Sequence, residues 1–414
     1  METLKHHTQA TQRIALLDSL RGFALCAICF MNIELFTRPL TDLQDGITQN
    51  LTGLNWFADA FIYVFMHGKG WAMFTLLFGV SYGMLGHNRI RWIRRVTMLL
   101  GIGLIHAIAI WSGDILVTYA VAGFALAFLP QLNDKKSALL GVILATLPLL
   151  ITLAKGVAAA NETTIHDPSD TLNLAQRAHE IAAYSHGTWA QATHLRWEEL
   201  KAHDSGWWLF IPVVMGMVLI GKALYQSGVI TAQAGTARLR RWLLIGAGTT
   251  GAAVMTASLV IDPNPQLVAY AVPGKVVLAA MLQIAAAPLL GIALLCGLVE
   301  AHETLPAAKR AMQPLASLGR LSLTVYLVQS LIGTTLFYGY GFGLWGHVGR
   351  AGQALLCVLV LAIQLRAARW YVERFAYGPV EWVWRWGTNG TMPPFRLMQN
   401  SPATSIPQTA IETL

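Results

Sequence analysis

The sequence predicts an all-α, polytopic membrane protein with about ten transmembrane helices and both termini in the cytoplasm, forming a single membrane domain over residues 1–392. Three observations carry that reading. The 414 residues are 55% hydrophobic and 12% charged, about half the charge of an ordinary soluble chain. Mean hydropathy is +0.51, and several apolar runs approach the ~20 residues that cross a bilayer. Such runs must be helical, because lipid offers no partner to an unpaired backbone amide. Basic residues also recur on alternate connections, the asymmetry expected of cytoplasmic loops.

The expected spans are 14–35, 60–86, 95–112, 114–130, 137–157, 206–225, 240–261, 274–298, 317–338 and 351–370. The first is too long and too polar for a removable signal peptide, and no small-residue cleavage site follows it, so it reads as retained. It carries Asp18, Arg21 and Asn32 in an otherwise apolar run. Arg21 and Asn32, about three turns apart, share one helix face with ~16 Å between them along the axis. The second span contains His67-Gly68-Lys69-Gly70, where two glycines beside ionisable groups predict a bend or break and an interfacial or re-entrant arm over 55–66. Trp111-Ser112-Gly113-Asp114 joins the third and fourth spans in a tight hairpin.

Orientation follows from charge. Arg89–Arg95, Lys135–Lys136, Arg238–Arg241, Lys309–Arg310 and Arg366–Arg374 all fall on one side if both termini are cytoplasmic. The long connection 158–205, with seven acids against three bases, then falls outside as a partly helical loop. The aromatic segment Tyr377–Trp386 reads as interfacial on the cytoplasmic leaflet. Residues 393–414 read as a disordered cytoplasmic tail.

Composition also narrows function. The net charge of +8 is accounted for by cytoplasmic connections, so no nucleic-acid partner is expected. The four cysteines, Cys26, Cys29, Cys296 and Cys357, all lie in apolar runs and define no disulfide or metal framework. The outer loop holds five of twelve histidines, yet none has the i, i+4 spacing of a helical metal site, so no metal is expected. No Walker loop, dinucleotide fingerprint or nucleophile elbow is present.

Chemistry is expected where ionisable groups enter the membrane. Asn32, Lys69, His67, His106 and Asp114, from different segments, reach roughly one depth near the outer leaflet. His106 alone is more often a packing residue, Lys69 can snorkel, and Asp114 suits the N-cap of the next helix. Arg21 and Arg320 sit inside spans at the cytoplasmic side, where they suit an anionic head group or a phosphate. Ser19-Leu20-Arg21 and Ser317-Leu318-Gly319-Arg320 echo each other, each followed about three turns on by an amide, Asn32 or Gln329.

Leu17-Asp18-Ser19-Leu20-Arg21-Gly22-Phe23-Ala24, Phe74-Thr75-Leu76-Leu77-Phe78-Gly79, Gly103-Leu104-Ile105-His106-Ala107 and Gly319-Arg320-Leu321-Ser322-Leu323-Thr324-Val325-Tyr326-Leu327-Val328-Gln329-Ser330 resemble the YeiB-like family of bacterial inner-membrane proteins. So do Trp111-Ser112-Gly113-Asp114-Ile115-Leu116 and Tyr377-Gly378-Pro379-Val380-Glu381-Trp382. The Arg-Gly opening with a polar residue eleven positions on is similar to the wider transmembrane acyltransferases, including heparan-α-glucosaminide N-acetyltransferase. That resemblance implies transfer from a cytoplasmic acyl-CoA to an acceptor on the outer side. In the glucosaminide branch a catalytic His follows the Asn by eleven residues; here that position is Leu43, so the base does not carry over.

The expected function is therefore a membrane-embedded acyltransferase. His106 is its candidate base, oriented by Asp114; Asn32 and Lys69 are candidate oxyanion donors beside His67. Arg21, Arg320, Gln329 and Tyr326 are candidate donor-binding residues. Acyl-CoA is the expected donor, and a small molecule, lipid or glycan the acceptor, beside the membrane lipids. A homodimer stays open. The alternative is a transporter or flippase for a small anionic solute or lipid.

Overall fold

A computed structural model describes residues 2–39, 47–48, 50–85, 87–159, 169–201, 205–264 and 274–397. Among them every regular element is helical. In order these are α1 (Glu2–Leu35), α2 (Gly53–Phe65), α3 (Lys69–Leu85), α4 (Arg89–Ala109), α5 (Leu116–Leu126) and α6 (Asp134–Ala159). Next come α7 (Ser169–Ser185), α8 (Trp189–Lys201), α9 (Ser205–Gln226), α10 (Ala237–Ile261) and α11 (Gly274–Thr304). The chain continues through α12 (Pro306–Met312), α13 (Leu315–Arg320), α14 (Ser322–Phe337), α15 (Arg350–Val372) and α16 (Pro379–Asn389).

Among the described residues seven stretches are long and apolar enough to cross a membrane, with α2 and α3 counting as one, which makes the chain a multi-pass α-helical membrane protein. Three shorter apolar helices, Leu116–Leu126, Phe210–Gln226 and Ser322–Phe337, occupy the expected fourth, sixth and ninth spans. At about 1.5 Å per residue, the 11-residue α5 reaches only ~16 Å.

Three local departures from the expected spans have physical causes. Arg89, Arg91, Arg94 and Arg95 do not form a loop; they are the first two turns of α4, whose start is capped by Asn88 accepting from the Arg91 amide at 3.1 Å. The ninth span is split at Leu321, because the Glu381 carboxylate of α16 accepts the amides of Leu323 and Thr324 and so starts a new helix there. Residues 393–397, expected to lack structure, lie against the segment before α16. Phe375 pairs with Arg396, and the Trp382 indole donates to the Pro393 carbonyl at 2.8 Å. Residues 398–414 lie outside the described residues.

The expected break at His67–Gly70 is present. Helix α2 ends at Phe65, α3 begins at Lys69, and Gly68 between them has φ +72°, a conformation L side chains rarely adopt. The expected hairpin also forms, between Ala109 and Leu116, with Trp111 buried in it.

Close crossings hold the bundle. Apolar burial does little to drive helices together in lipid, so small residues that let backbones touch take its place. A Cβ on Gly79 of α3 would strike the Val218 carbonyl of α9, and one on Gly221 of α9 would strike the Leu76 carbonyl of α3. Helix α1 crosses α13 in the same way, and α4 packs on α5, α8 and α16. The space left among α1, α3, α4, α5, α13, α14 and α16 holds the site.

Candidate functional site

One cavity of about 610 Å³ opens among these helices, within the size range of small-ligand sites. Its apolar wall is built by Leu25, Ile28, Phe74, Phe78, Leu116 and Tyr119. Phe78 and Tyr119 stack at 5.3 Å between centroids, and the Tyr119 hydroxyl is fixed by Thr75 at 2.8 Å. Its other end is ionic: Asp18, Arg21, Arg95, Arg320, Glu381 and Arg385 line it, four guanidinium groups against two carboxylates.

The carboxylates there are already engaged. Asp18 Oδ1 accepts from Arg21 at 3.0 Å, and the same guanidinium reaches Ser81 Oγ at 3.3 Å. Glu381 accepts from the Leu323 and Thr324 amides at 2.7 and 2.9 Å and from the Thr324 hydroxyl. Burial pushes the Glu381 carboxyl up from its ordinary value, and these hydrogen bonds pull it back. Arg95 lies under the Trp384 ring, 3.9 Å from its centroid, while the Trp384 indole donates to the Arg95 carbonyl at 2.9 Å. Arg385, one residue on in α16, lies over Tyr377 at 4.5 Å, and burial lowers its pKa.

The opposite end of the cavity is closed by Tyr326, Ile115 and Leu116. Beyond Tyr326 stands a buried pair: His106 Nδ1 and Asp114 Oδ2 are 2.6 Å apart, with side chains 1% and 2% exposed. Asp114 Oδ1 accepts from the Val117 amide at 2.7 Å, so one carboxylate both starts α5 and holds the imidazole. With Nδ1 committed, Nε2 is the free ring nitrogen, and it is buried without a hydrogen-bond partner among the described residues. The Tyr326 ring lies 5.1 Å from the imidazole, and its hydroxyl is also buried without a partner there. A buried aromatic hydroxyl and a buried imidazole nitrogen, both unsatisfied, form an unusual pairing beside a cavity.

The connection that carries α7 and α8 seals this end. Among the α8 side chains, Arg196 is fully buried and donates to the Ile108 carbonyl at 3.1 Å, and the Trp189 indole donates to the Ala109 carbonyl at 3.0 Å. Both fill the carbonyls left open at the end of α4, one turn from His106.

The candidate residues read from the sequence thus divide. His106 and Asp114 meet directly, with Tyr326 beside them; Arg21, Arg320 and Tyr326 line one cavity. Lys69, His67 and Asn32 neither line that cavity nor bond to the dyad. Lys69 is buried and donates to the Tyr63 carbonyl at 2.9 Å, closing the end of α2, and His67 lies 5.8 Å from the Tyr63 ring. Asn32 is buried on α1. Gln329 donates to Gln364 at 3.0 Å and ties α14 to α15 outside the lining. Among the described residues no three His, Cys, Asp or Glu side chains gather as metal ligands.

Sequence reasoning passed over Arg95, Arg385, Trp384 and Tyr119. Arg95 looked like one of a run of loop arginines, but three residues after the buried Trp92 and four before the buried Leu99 it falls on the inward face once the run is helical.

Known proteins place the chain without assigning it a reaction. Residues 224–391 match the family described as "Protein of unknown function (DUF418)". The chain is 28% identical to the uncharacterized protein YxaH of Bacillus subtilis (strain 168), over 92% of this chain and 95% of that one. It is 28% identical to the uncharacterized protein YeiB of Escherichia coli (strain K12), over 90% and 96%. An uncharacterized 39.9 kDa protein of Bacillus acidopullulyticus is 26% identical over 94% and 98%. No solved structure matches. The chain is thus similar from end to end to YxaH and YeiB.

Proposed function

We propose that the chain is a membrane-embedded acyltransferase of the bacterial inner membrane. In this reading it has ten crossings and cytoplasmic termini, and moves an acyl group from a cytoplasmic acyl-CoA-type donor to an acceptor hydroxyl or amine at the outer side. The observation that carries the reading is the His106–Asp114 dyad, with a buried, unpartnered Nε2, beside the closed end of a cavity whose other end is cationic.

Asp114 accepts from Nδ1–H and keeps Nε2 as the acceptor nitrogen. Nε2 takes the proton of the acceptor group as that group attacks the thioester carbonyl. The Tyr326 hydroxyl donates to the oxyanion that develops. Collapse breaks the carbon–sulfur bond, and the imidazolium returns its proton to the leaving thiolate, so donor thiol and acylated acceptor are the products. Because His106 does not line the cavity, the Tyr326 ring must swing for the acyl carbon to reach it. Lys69 and Asn32 have no step in this scheme.

The test is thiol release from acyl-CoA by the purified protein in nanodiscs, with candidate acceptors, compared with His106→Ala. Loss of ~10²–10⁴-fold is expected for removal of such a base. Full activity in the variant removes the base, and solute uptake into proteoliposomes with no thiol release favours the transporter reading instead.

A further inference from the structure

The cationic end of the cavity has more positive charge than its own carboxylates use. Asp18 is paired with Arg21, and Glu381 is consumed by the start of α14. Arg320 has no ion-pair partner among the described residues. Arg95 is 8% exposed, lines the cavity, and its buried Nε lacks a hydrogen-bond partner among the described residues. A buried guanidinium with an unused donor is costly unless something accepts from it. Its guanidinium carbon lies 3.9 Å from the Trp384 ring centroid, a contact that holds the donor fork in place. Helix α16 supplies both Trp384 and Arg385, and its Glu381 anchors it to α14, so the arginines on α4, α13 and α16 are held on separate rigid elements.

We propose that Arg95, Arg320 and Arg385 form a phosphoryl-binding site, which takes the phosphate or diphosphate of a ligand whose apolar part lies along Phe78 and Tyr119. Planar guanidinium forks from several directions match the tetrahedral oxygens of a phosphoryl group better than a single carboxylate. The inference builds on the reading of this cavity as the donor site, since it names the part of the donor held there, but the site stands whether or not transfer occurs. Two sources carry the same chemistry: the nucleotide phosphates of a soluble coenzyme and the head group of an anionic phospholipid.

The test is binding to the purified full-length protein by isothermal titration calorimetry. In one arm, coenzyme A is compared with pantetheine, which lacks the phosphates. In the other, nanodiscs containing phosphatidic acid are compared with diacylglycerol nanodiscs, read by retention of lipid through delipidating washes. The expected result is that the phosphate-bearing member of one pair binds at least tenfold more tightly, that inorganic phosphate competes, and that Arg95→Gln and Arg385→Gln each weaken binding about tenfold. His106→Ala should leave binding intact, so loss of transfer and loss of the phosphoryl site are separable. If Arg95→Gln does not fold, Arg95→Lys, which keeps the charge but loses the fork and the stack, must still bind more weakly than the parent. The proposal is overturned if neither pair shows a phosphate preference, or if folded Arg95 and Arg385 variants bind as the parent does.

Discussion

Gly22 and Gly319 meet at the crossing of α1 and α13, where a Cβ on either would strike the other helix's backbone: Gly22 against the Leu315 carbonyl, Gly319 against that of Asp18. The contact sets the spacing between Arg21 and Arg320, each adjacent in sequence to one of these glycines and both on the cavity wall. The repeated Ser-Leu-Arg-Gly and Ser-Leu-Gly-Arg segments are therefore two sides of one joint, with the order of the last two residues reversed between them.

Gly319→Ala or Gly22→Ala should then push the helices apart, because the obstacle is backbone and cannot rotate away. Overpacking of this kind costs about 1–3 kcal/mol. Gly101→Ala, on α4 with open space at its Cβ, should be neutral or gain up to ~1 kcal/mol from helix propensity. Thermal unfolding midpoints in detergent separate the two; equal shifts for Gly319→Ala and Gly101→Ala would refute the joint.

What the sequence showed and what it hid follow from the range of the signals. Hydropathy and the positions of Gly68 and the 111–114 turn are local, so the multi-pass helical class, the break after α2 and the hairpin were legible. The pairing of His106 with Asp114 spans one hairpin and was within reach too. The split at Leu321 was not, because the group that starts α14 is a carboxylate about sixty residues away in α16. Depth alone put Asn32 and Lys69 level with His106, but depth says nothing of azimuth, and Lys69 turns to the end of α2.

Tyr326 and Asp114 give a paired kinetic test. Tyr326→Phe keeps the ring beside His106 but removes the hydroxyl that would meet the oxyanion, and loss of one such donor costs about 10²–10³ in kcat. Asp114→Asn keeps a side-chain oxygen for the Val117 amide but weakens the hold on Nδ1. It should lower kcat with little change in unfolding midpoint, whereas Asp114→Ala should lower both. Unchanged turnover in both Tyr326→Phe and Asp114→Asn would mean that neither group serves the reaction.

A buried ionic cluster fastens the α2 arm. Arg350 donates to Asp59 of α2, to Glu34 of α1 at 2.7 Å and to Gln353 at 2.9 Å, and Asp59 also accepts from the Thr48 amide at 2.7 Å. Glu34 is also paired with Arg38 at 2.9 Å, so Arg350→Met would leave Asp59 as the buried carboxylate without a cation and should cost about 3–5 kcal/mol. Adding Asp59→Asn removes the stranded charge and should recover much of the loss. Unfolding midpoints of the single and double variants decide it; a double variant no better than the single one would locate the cost in packing instead.

Helix α8 carries a carboxyl that titrates near neutrality. Glu199 of α8 is pushed up to about 7 from an ordinary 4.5, chiefly by burial, with nearby Glu180 acting in the same direction and Arg196 against it. The Tyr184 hydroxyl of α7 donates to Glu199 Oε2 at 2.8 Å and lies 3.4 Å from Ser112 Oγ in the hairpin that carries Asp114. In the folded protein Glu199 holds its proton between pH 4.5 and about 7, where the unfolded chain has released it. Stability is therefore greatest below that window, falls as pH rises through it, and is flat above it. Glu199→Gln, neutral at every pH, should flatten this slope. Unfolding midpoints at pH 5, 6, 7 and 8 for the parent and Glu199→Gln give the difference directly. Parallel curves for the two proteins would show that Glu199 does not set the pH dependence, and a parent curve that rises across the window would reverse the sign of the coupling.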